Sequence, residues 1–323
     1  MADRVVLGAY ASAPAGLEAN PGVEARWYEL VGQIEGAVGI EAPYRGGFHS
    51  LGAERFASLL PAGWSVYVAT LPLSMDGVRK DARYGLASDD EGARAAAIAD
   101  IHTVFEGVLE LNDALGRDAV KAVHLTSAPQ TLNAKSSWES MARSLETLTS
   151  WRWGSTQLVL EHADAPEPPL AVEKGFLPLA AEIQAILRAR EATGVHFGQL
   201  LNWGRSAVEG RSPVTPLAHL TQAMAAGTLA GYFFSGASAV GGTLGAAWKD
   251  AHNPISSYDP SSLLTPAGIA QIVGKLPDHA YIGVKVADSK SSADIRQRVL
   301  ALALTAEAVV AAVAGNREMG GKP

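Results

Sequence analysis

Apolar residues recur along the chain in two alternating rhythms. Short runs dense in Val, Ile, Leu and aromatic residues are followed by longer stretches in which apolar positions return every three or four residues. The first rhythm suits strands of a parallel sheet covered on both faces, and the second suits amphipathic helices. Strands are predicted over 5–9, 37–42, 65–70, 121–126, 157–161, 195–201, 229–234 and 281–286. Helices are predicted over 23–34, 54–60, 88–115, 137–149, 179–192, from Thr215 onward, 265–274 and 293–314. Ser88 and Glu91 form a capping-box pattern, and Thr215-Pro216 and Thr265-Pro266 each place a capping hydroxyl before a proline. Eight strand–helix units predict an α/β fold, a single (β/α)8 TIM barrel over residues 1–323. The Gly- and charge-rich tail 315–323 is expected to fray, and 239–264 reads as a long loop over the barrel top.

The run Leu158–Asp164, LVLEHAD, carries the strongest chemical signal. Three consecutive apolar residues end abruptly in Glu161, His162 and Asp164, groups that are costly to bury without partners. Ligands of barrel enzymes bind at the C-terminal ends of the strands, so Glu161 and His162 are candidate catalytic residues. The other predicted strand ends supply Glu41, Arg45 and His49, then Asn202, Trp203 and Arg205, then Ser235, and finally Lys285. Trp248, Asp250 and His252 stand in the long loop. Arg205 offers a planar fork suited to phosphate, sulfonate or carboxylate, with a loop-fixing pair to Glu209 as its alternative role. Trp203 or Trp248 can stack on a sugar face. Lys285, between Val284 and Val286, is expected to be partly desolvated and to act as a base, an imine-forming nucleophile, or the partner of Glu161 in a structural ion pair. His124 reads as a core histidine.

Composition restricts the partners. A net charge of −7 and a pI near 5.6 argue against nucleic acid or an anionic membrane surface as partner. The chain has no cysteine, which excludes disulfides, thiolate nucleophiles and Cys-based metal sites. No leader pattern opens it, and the most apolar stretch, Leu300–Ala314, carries Glu307, so a cytoplasmic protein is expected. A homo-oligomer is compatible with all of this. Dinucleotide-fingerprint, phosphate-loop, HExxH and GxSxG motifs do not occur.

The barrel order, GIEAP at the second strand and LVLEHAD at the fifth resemble the xylose isomerase-like TIM barrels. That superfamily includes ketose 3-epimerases, inosose dehydratases and sugar isomerases. Within it the chain resembles an uncharacterised bacterial branch known as a domain of unknown function, and the resemblance spans nearly the whole chain. It implies a divalent cation held by a Glu, an Asp, a His and a Glu on strands five to eight, the two glutamates moving a proton beside a carbonyl. Glu161 matches the first position. Asn202 stands at the aspartate, Arg205 at a helper histidine, Ser235 near the expected imidazole, and Lys285 at the second glutamate. The resemblance therefore implies loss of most metal ligands, with no metal or cofactor expected and the lysine ammonium in the cation's place. Asp250 and His252 are the residues from which the loop could rebuild a site.

The expected activity is aldose–ketose isomerisation, or related enediolate chemistry, on a small phosphorylated or sulfonated sugar or sugar acid. Glu161 would be the base, Lys285 and Asn202 would stabilise the oxyanion, and Arg205 would hold the anionic end. A Schiff-base lyase using Lys285 and a non-catalytic sugar-binding barrel are the alternatives.

Overall fold

The structure, a computed structural model, describes residues 4–166, 172–290 and 294–320, the last three by their backbone alone. Eight parallel strands close into a barrel in sequence order, β1 pairing with both β2 and β8. They are β1 Val5–Leu7, β2 Ala37–Pro43, β3 Ser65–Ala69, β4 Val120–Leu125, β5 Gln157–Glu161, β6 Gly198–Asn202, β7 Leu229–Phe234 and β8 Tyr281–Val284. The helices are α1 Pro21–Gly32, α2 Ala53–Leu59, α3 Leu71–Lys80, α4 Glu91–Ala114, α5 Trp138–Leu148, α6 Leu179–Thr193, α7 Trp203–Glu209, α8 Thr215–Ala225, α9 Pro266–Val273 and α10 Ile295–Gly320.

All eight predicted strands are present, and the differences lie at the ends. Strand β6 starts at Gly198 rather than Val195, and β8 stops at Val284, so Lys285 begins the loop beyond it. Helices α3 and α7 were not predicted; both follow directly on a strand, where a strand-type apolar run masks a helix start. Asp90, not Ser88, caps α4, its carboxylate accepting from Ala93 N at 2.9 Å, while Ser88 Oγ accepts from Asp90 N. Thr265 caps α9 as expected, its Oγ1 accepting from Gly268 N, whereas Thr215 already lies inside α8, one residue past the Val214 cap.

Helix α10 carries on to Gly320, so Gly315–Gly320 is helical where a loose tail was expected. Arg317 in its last turn is well placed against the negative end of the helix dipole. The predicted start, Ala293, and residues 321–323 lie outside the described residues. Ile295–Arg317 is long and apolar enough by composition to cross a membrane, yet it packs on β1, β8, α1 and α9 as a barrel helix.

The core has three compartments, the smallest formed by Leu71, Ala128, Ala163 and Phe176. A large shell joins the outer face of the sheet to the helices. A smaller plug of Val6, Ala122, Val159, Leu200, Ala230 and Phe233, with Tyr67 and Tyr281 against it, fills the barrel interior. This plug closes the interior, so polar groups directed inward collect above it.

Candidate active site

Period-two alternation decides which strand-end residues enter the barrel. Val159 belongs to the interior plug, so Glu161, two residues on, faces inward too. The same parity carries Ala122 to His124, Leu200 to Asn202, and Tyr281 through Gly283 to Lys285. Leu158 and Leu160 face the helices, and His162 goes with them.

At the mouth, Lys285 Nζ lies 3.0 Å from Glu41 Oε2 and 3.7 Å from Glu161 Oε1. Gly8 makes this approach feasible, because a Cβ there would sit 2.7 Å from Lys285 Cβ. Arg205, in the first turn of α7, reaches back to place one guanidinium nitrogen 2.5 Å from Glu161 Oε1 and its Nε 3.1 Å from Asp250 Oδ2. Asn202 caps α7: its Oδ1 accepts from Arg205 N at 3.2 Å and from the Ser235 hydroxyl at 2.7 Å. The amide nitrogen of Asn202 is therefore the group it can offer a ligand. His124 lies beneath, Nδ1 3.1 Å from Glu41 Oε1 and Nε2 3.0 Å from the Tyr281 hydroxyl.

Asp250 arrives from the long loop between β7 and α9. It also receives Lys174 Nζ at 3.1 Å and stands 3.3 Å from His252 Nδ1. Trp248 and His252, on either side of it, have φ of 59° and 54°, a left-handed backbone that non-glycine residues rarely adopt. Such conformations persist only when surrounding contacts enforce them. Lys174 is placed by Asp164, whose carboxylate accepts from the backbone N–H of Glu173 and of Lys174.

Three carboxylates, Glu41, Glu161 and Asp250, thus alternate with three cations, Lys174, Arg205 and Lys285. Burial on its own would push the Lys285 ammonium down, but Glu41 foremost, with Tyr10 and Glu161, holds it above the ordinary lysine range. Burial likewise opposes ionisation of Glu161, and Arg205 and Lys285 overcome it, keeping the carboxyl below its usual value. His252 is pushed down to about 4 chiefly by burial, so it is neutral near pH 7.

Among the described residues, Glu41 Oε2, Glu161 Oε2, Asn202 Nδ2, one terminal guanidinium nitrogen of Arg205, His252 Nδ1 and Lys285 Nζ are buried in this cluster without a hydrogen-bond partner. For Lys285 the 3.0 Å contact to Glu41 is an ion pair by distance whose direction misses hydrogen-bond geometry, so its donors stay available. Buried polar atoms are rarely left this way, and six of them in one cluster make this mouth the candidate place for a polar ligand. Of these residues, Arg205 and His252 also line a cavity of about 220 Å3 that sets four cations, Arg45, Arg79, Lys174 and Arg205, against two carboxylates, Asp76 and Asp250.

The other predicted site residues divide. Arg45 reaches this cavity but is largely exposed and pairs with Asp76 at 3.2 Å. Glu41 is in the floor. Trp203 is 2% exposed within the helix–sheet core and has no face for a sugar, because the first turn of α7 turns it away from the barrel axis. Trp248 is half-buried in the loop. His49 points to α1, where its Nε2 stands 2.7 Å from Glu24 Oε1. His124 is a fully buried histidine with both ring nitrogens partnered, as its core reading expects, whereas Tyr10 and Lys174 were not predicted. Tyr10, directly after β1, could have been found by the strand-end rule.

His162 is not in the mouth. Its Nδ1 is 2.8 Å from Glu182 on α6 and its Nε2 is 3.0 Å from Glu209 on α7, so Glu209 serves His162, and Arg205, whose alternative role was a pair with Glu209, meets Glu161 and Asp250 instead. Ser127 and Gln199 donate to Glu182, and His219 lies 3.5 Å from Glu209. Burial lowers the His162 pKa, but the two glutamates outweigh it and raise it to about 10, above the 6.5 of an unperturbed imidazole. A folded-state pKa above the unfolded one gives stability that is complete below pH 6.5 and is lost as pH rises towards 10. Unfolding free energy measured by denaturant titration between pH 7 and 10 is expected to fall, and His162→Gln is expected to flatten that decline.

Glu41, His124 and Glu161 bring ligand atoms within 4.8 Å of one another, as do His162, Glu209 and His219. In the first group the Lys285 ammonium already stands beside both carboxylates. A divalent cation there would meet a fixed positive charge.

The family model for "Domain of unknown function (DUF4862)" matches residues 6–301. An uncharacterized protein of Salmonella typhimurium strain LT2 is 30% identical over 297 residues, 91% of this chain and 93% of that one. Among solved structures, a provisionally named xylose isomerase from Rhodospirillum rubrum superposes with a TM-score of 0.63 at 14% identity, covering 95% of this chain and 98% of its own. The D-psicose 3-epimerase of Clostridium cellulolyticum H10, solved with D-tagatose, gives 0.59 at 11% identity, over 96% and 99% of the two chains. These similarities show the fold of the xylose isomerase-like TIM barrels.

Proposed function

This chain belongs to the DUF4862 family, and from its barrel mouth we propose a cytoplasmic sugar-processing enzyme of the isomerase type. Its substrate is an anionic carbonyl sugar, phosphorylated or sulfonated, and its chemistry passes through an enediolate without a metal. The observation that carries this reading is Glu161, a buried carboxylate with one free oxygen, held between Lys285 and Arg205. Solved barrels of the same fold include sugar epimerases, which favours the same substrate class.

Glu161 is too well stabilised as an anion in the resting site to be a strong base. Arg205 provides the remedy. Its free guanidinium nitrogen and the cations around the cavity attract the substrate's anionic group, and as Arg205 turns to it, Glu161 loses its nearest cation. Its pKa then rises towards the range useful for proton abstraction. Glu161 removes the proton from the carbon beside the carbonyl. The Lys285 ammonium and the Asn202 amide donate to the carbonyl oxygen as it becomes an oxyanion. Isomerisation is completed when Glu161 returns its proton to the former carbonyl carbon while the hydroxyl proton on the adjacent oxygen passes to the oxyanion, so that the second oxygen becomes the new carbonyl. Because Glu41 keeps Lys285 protonated, imine formation is the weaker reading: it needs the neutral amine.

The test is proton exchange in D2O with a panel of aldose and ketose phosphates and sulfonated sugars, followed by NMR. Deuterium is expected at the carbon beside the carbonyl with the wild type and not with Glu161→Gln. Binding without exchange across the panel would instead support a non-catalytic sugar-binding barrel. Elemental analysis is expected to find no stoichiometric divalent metal; zinc, manganese or iron that disappears on Glu161→Gln would overturn the metal-free assignment.

A further inference from the structure

A second cavity, of about 390 Å3, lies beside the mouth, between the loops that follow β1 and β2. Its walls are aromatic: Trp27 and Tyr28 from α1, Phe48, and Phe56 from α2. The rings brace one another, Phe48 stacked on Phe56 at 5.7 Å and Tyr28 edge-on to Phe56 at 6.2 Å. Protein interiors hold few voids much larger than a water molecule, and this volume falls in the range of small-ligand sites. The charged groups in its lining are already engaged. Glu24 is taken by His49 and Arg55, Glu41 by Lys285 and His124, and Glu18 accepts from Ser50 N. What remains for a guest, apart from Glu41 Oε2, which is ion-paired but accepts no hydrogen bond, is a largely apolar surface whose ring edges and faces suit another flat ring.

Tyr10 lines both this cavity and the charged one lined by Arg205, and its ring centroid is 5.0 Å from Lys285 Nζ. We propose that the aromatic cavity is a second substrate subsite, so that the natural substrate is a carbonyl sugar bearing a neutral aromatic or similarly flat apolar substituent. The sugar and its anionic group occupy the charged cavity, and the substituent passes Tyr10 into the aromatic one. This rests on the anionic-sugar reading of the mouth, but the aromatic cavity can be probed without it.

Phenol alone, titrated by ligand-observed NMR, is expected to bind the full-length wild type saturably in the millimolar range. Ala13→Leu, which adds bulk to the wall of this cavity, is expected to weaken that binding at least fivefold while a thermal melt stays cooperative. The second arm needs no variant: 1-anilino-1-deoxy-D-fructose 6-phosphate is expected to bind at least tenfold tighter than D-fructose 6-phosphate. Absence of saturable phenol binding, phenol binding unchanged in a folded Ala13→Leu protein, or equal affinity for the two sugar phosphates would each overturn the proposal. Phenol binding lost in Ala13→Leu while neither sugar phosphate binds would uphold the apolar site and reject the anionic-sugar reading instead.

Discussion

Lys285→Met is expected to abolish deuterium exchange and to lower unfolding free energy by about 3–5 kcal/mol, the cost of leaving a buried charge without its partner. Lys285 and its partners Glu41 and Glu161 are each about 1% exposed or less, so solvent does little to screen them. Removing the ammonium leaves two carboxylates facing each other across the barrel mouth. Burial already opposes their ionisation, and Lys285 is the leading cationic influence on Glu41. In the variant both pKa values are therefore expected to rise, and one carboxyl is expected to take up a proton near neutral pH. Glu41→Gln with Lys285→Met removes the orphaned charge nearest the lesion and should recover part of the lost stability without recovering activity. The measurement is a double-mutant cycle in denaturant, read beside the exchange assay. If Lys285→Met exchanges deuterium at a near-normal rate, its role as oxyanion donor is wrong. If the double variant is no more stable than the single one, the ion pair with Glu41 is not what holds Lys285.

Much of this arrangement was legible in the residues. The alternation of apolar rhythms fixes eight strands and the closed order, because eight strand–helix units of this length have one common solution. Glu161, Asn202, Arg205 and Lys285 were found because strand ends point into the mouth. His162 was misread although the signal was present: side chains alternate along a strand, so adjacent residues 161 and 162 cannot both face inward. The identity of ion-pair partners was not legible. Lys285 meets Glu41 more closely than Glu161, and Glu209 serves His162 instead of Arg205, because pairing depends on rotamers and on which helix crosses above. Asp250 and Lys174 come from loops, where no periodicity tells which residue reaches the barrel axis. Asp250 owes its position to left-handed backbone at Trp248 and His252, which residue type alone does not signal.

Arg205→Lys should weaken binding of a sugar phosphate by about 1–3 kcal/mol, roughly fivefold to 150-fold, as expected for a charge-assisted hydrogen bond. The two residues carry the same charge, so the effect comes from geometry. Arg205 spans Glu161 and Asp250 with different nitrogens and still has one free for a ligand, whereas a single ammonium cannot satisfy both carboxylates and bind a phosphate oxygen. The variant also tests how the base is activated. In the wild type, Glu161 is held low by Arg205 first and Lys285 second, and the proposed mechanism has the substrate draw Arg205 away before proton abstraction. With a weaker partner at 205 the resting carboxyl titrates higher, so saturating substrate should change its pKa less. Sugar-phosphate affinity is measured by calorimetry, and the acid limb of the exchange rate is followed with and without saturating substrate. The wild type is expected to show a clear substrate-induced rise in the apparent pKa, and Arg205→Lys a smaller one. Unchanged affinity would reduce Arg205 to a strut between Glu161 and Asp250. Weakened affinity with an undiminished pKa response would keep Arg205 as the anion reader but assign the activation of Glu161 to Lys285 alone.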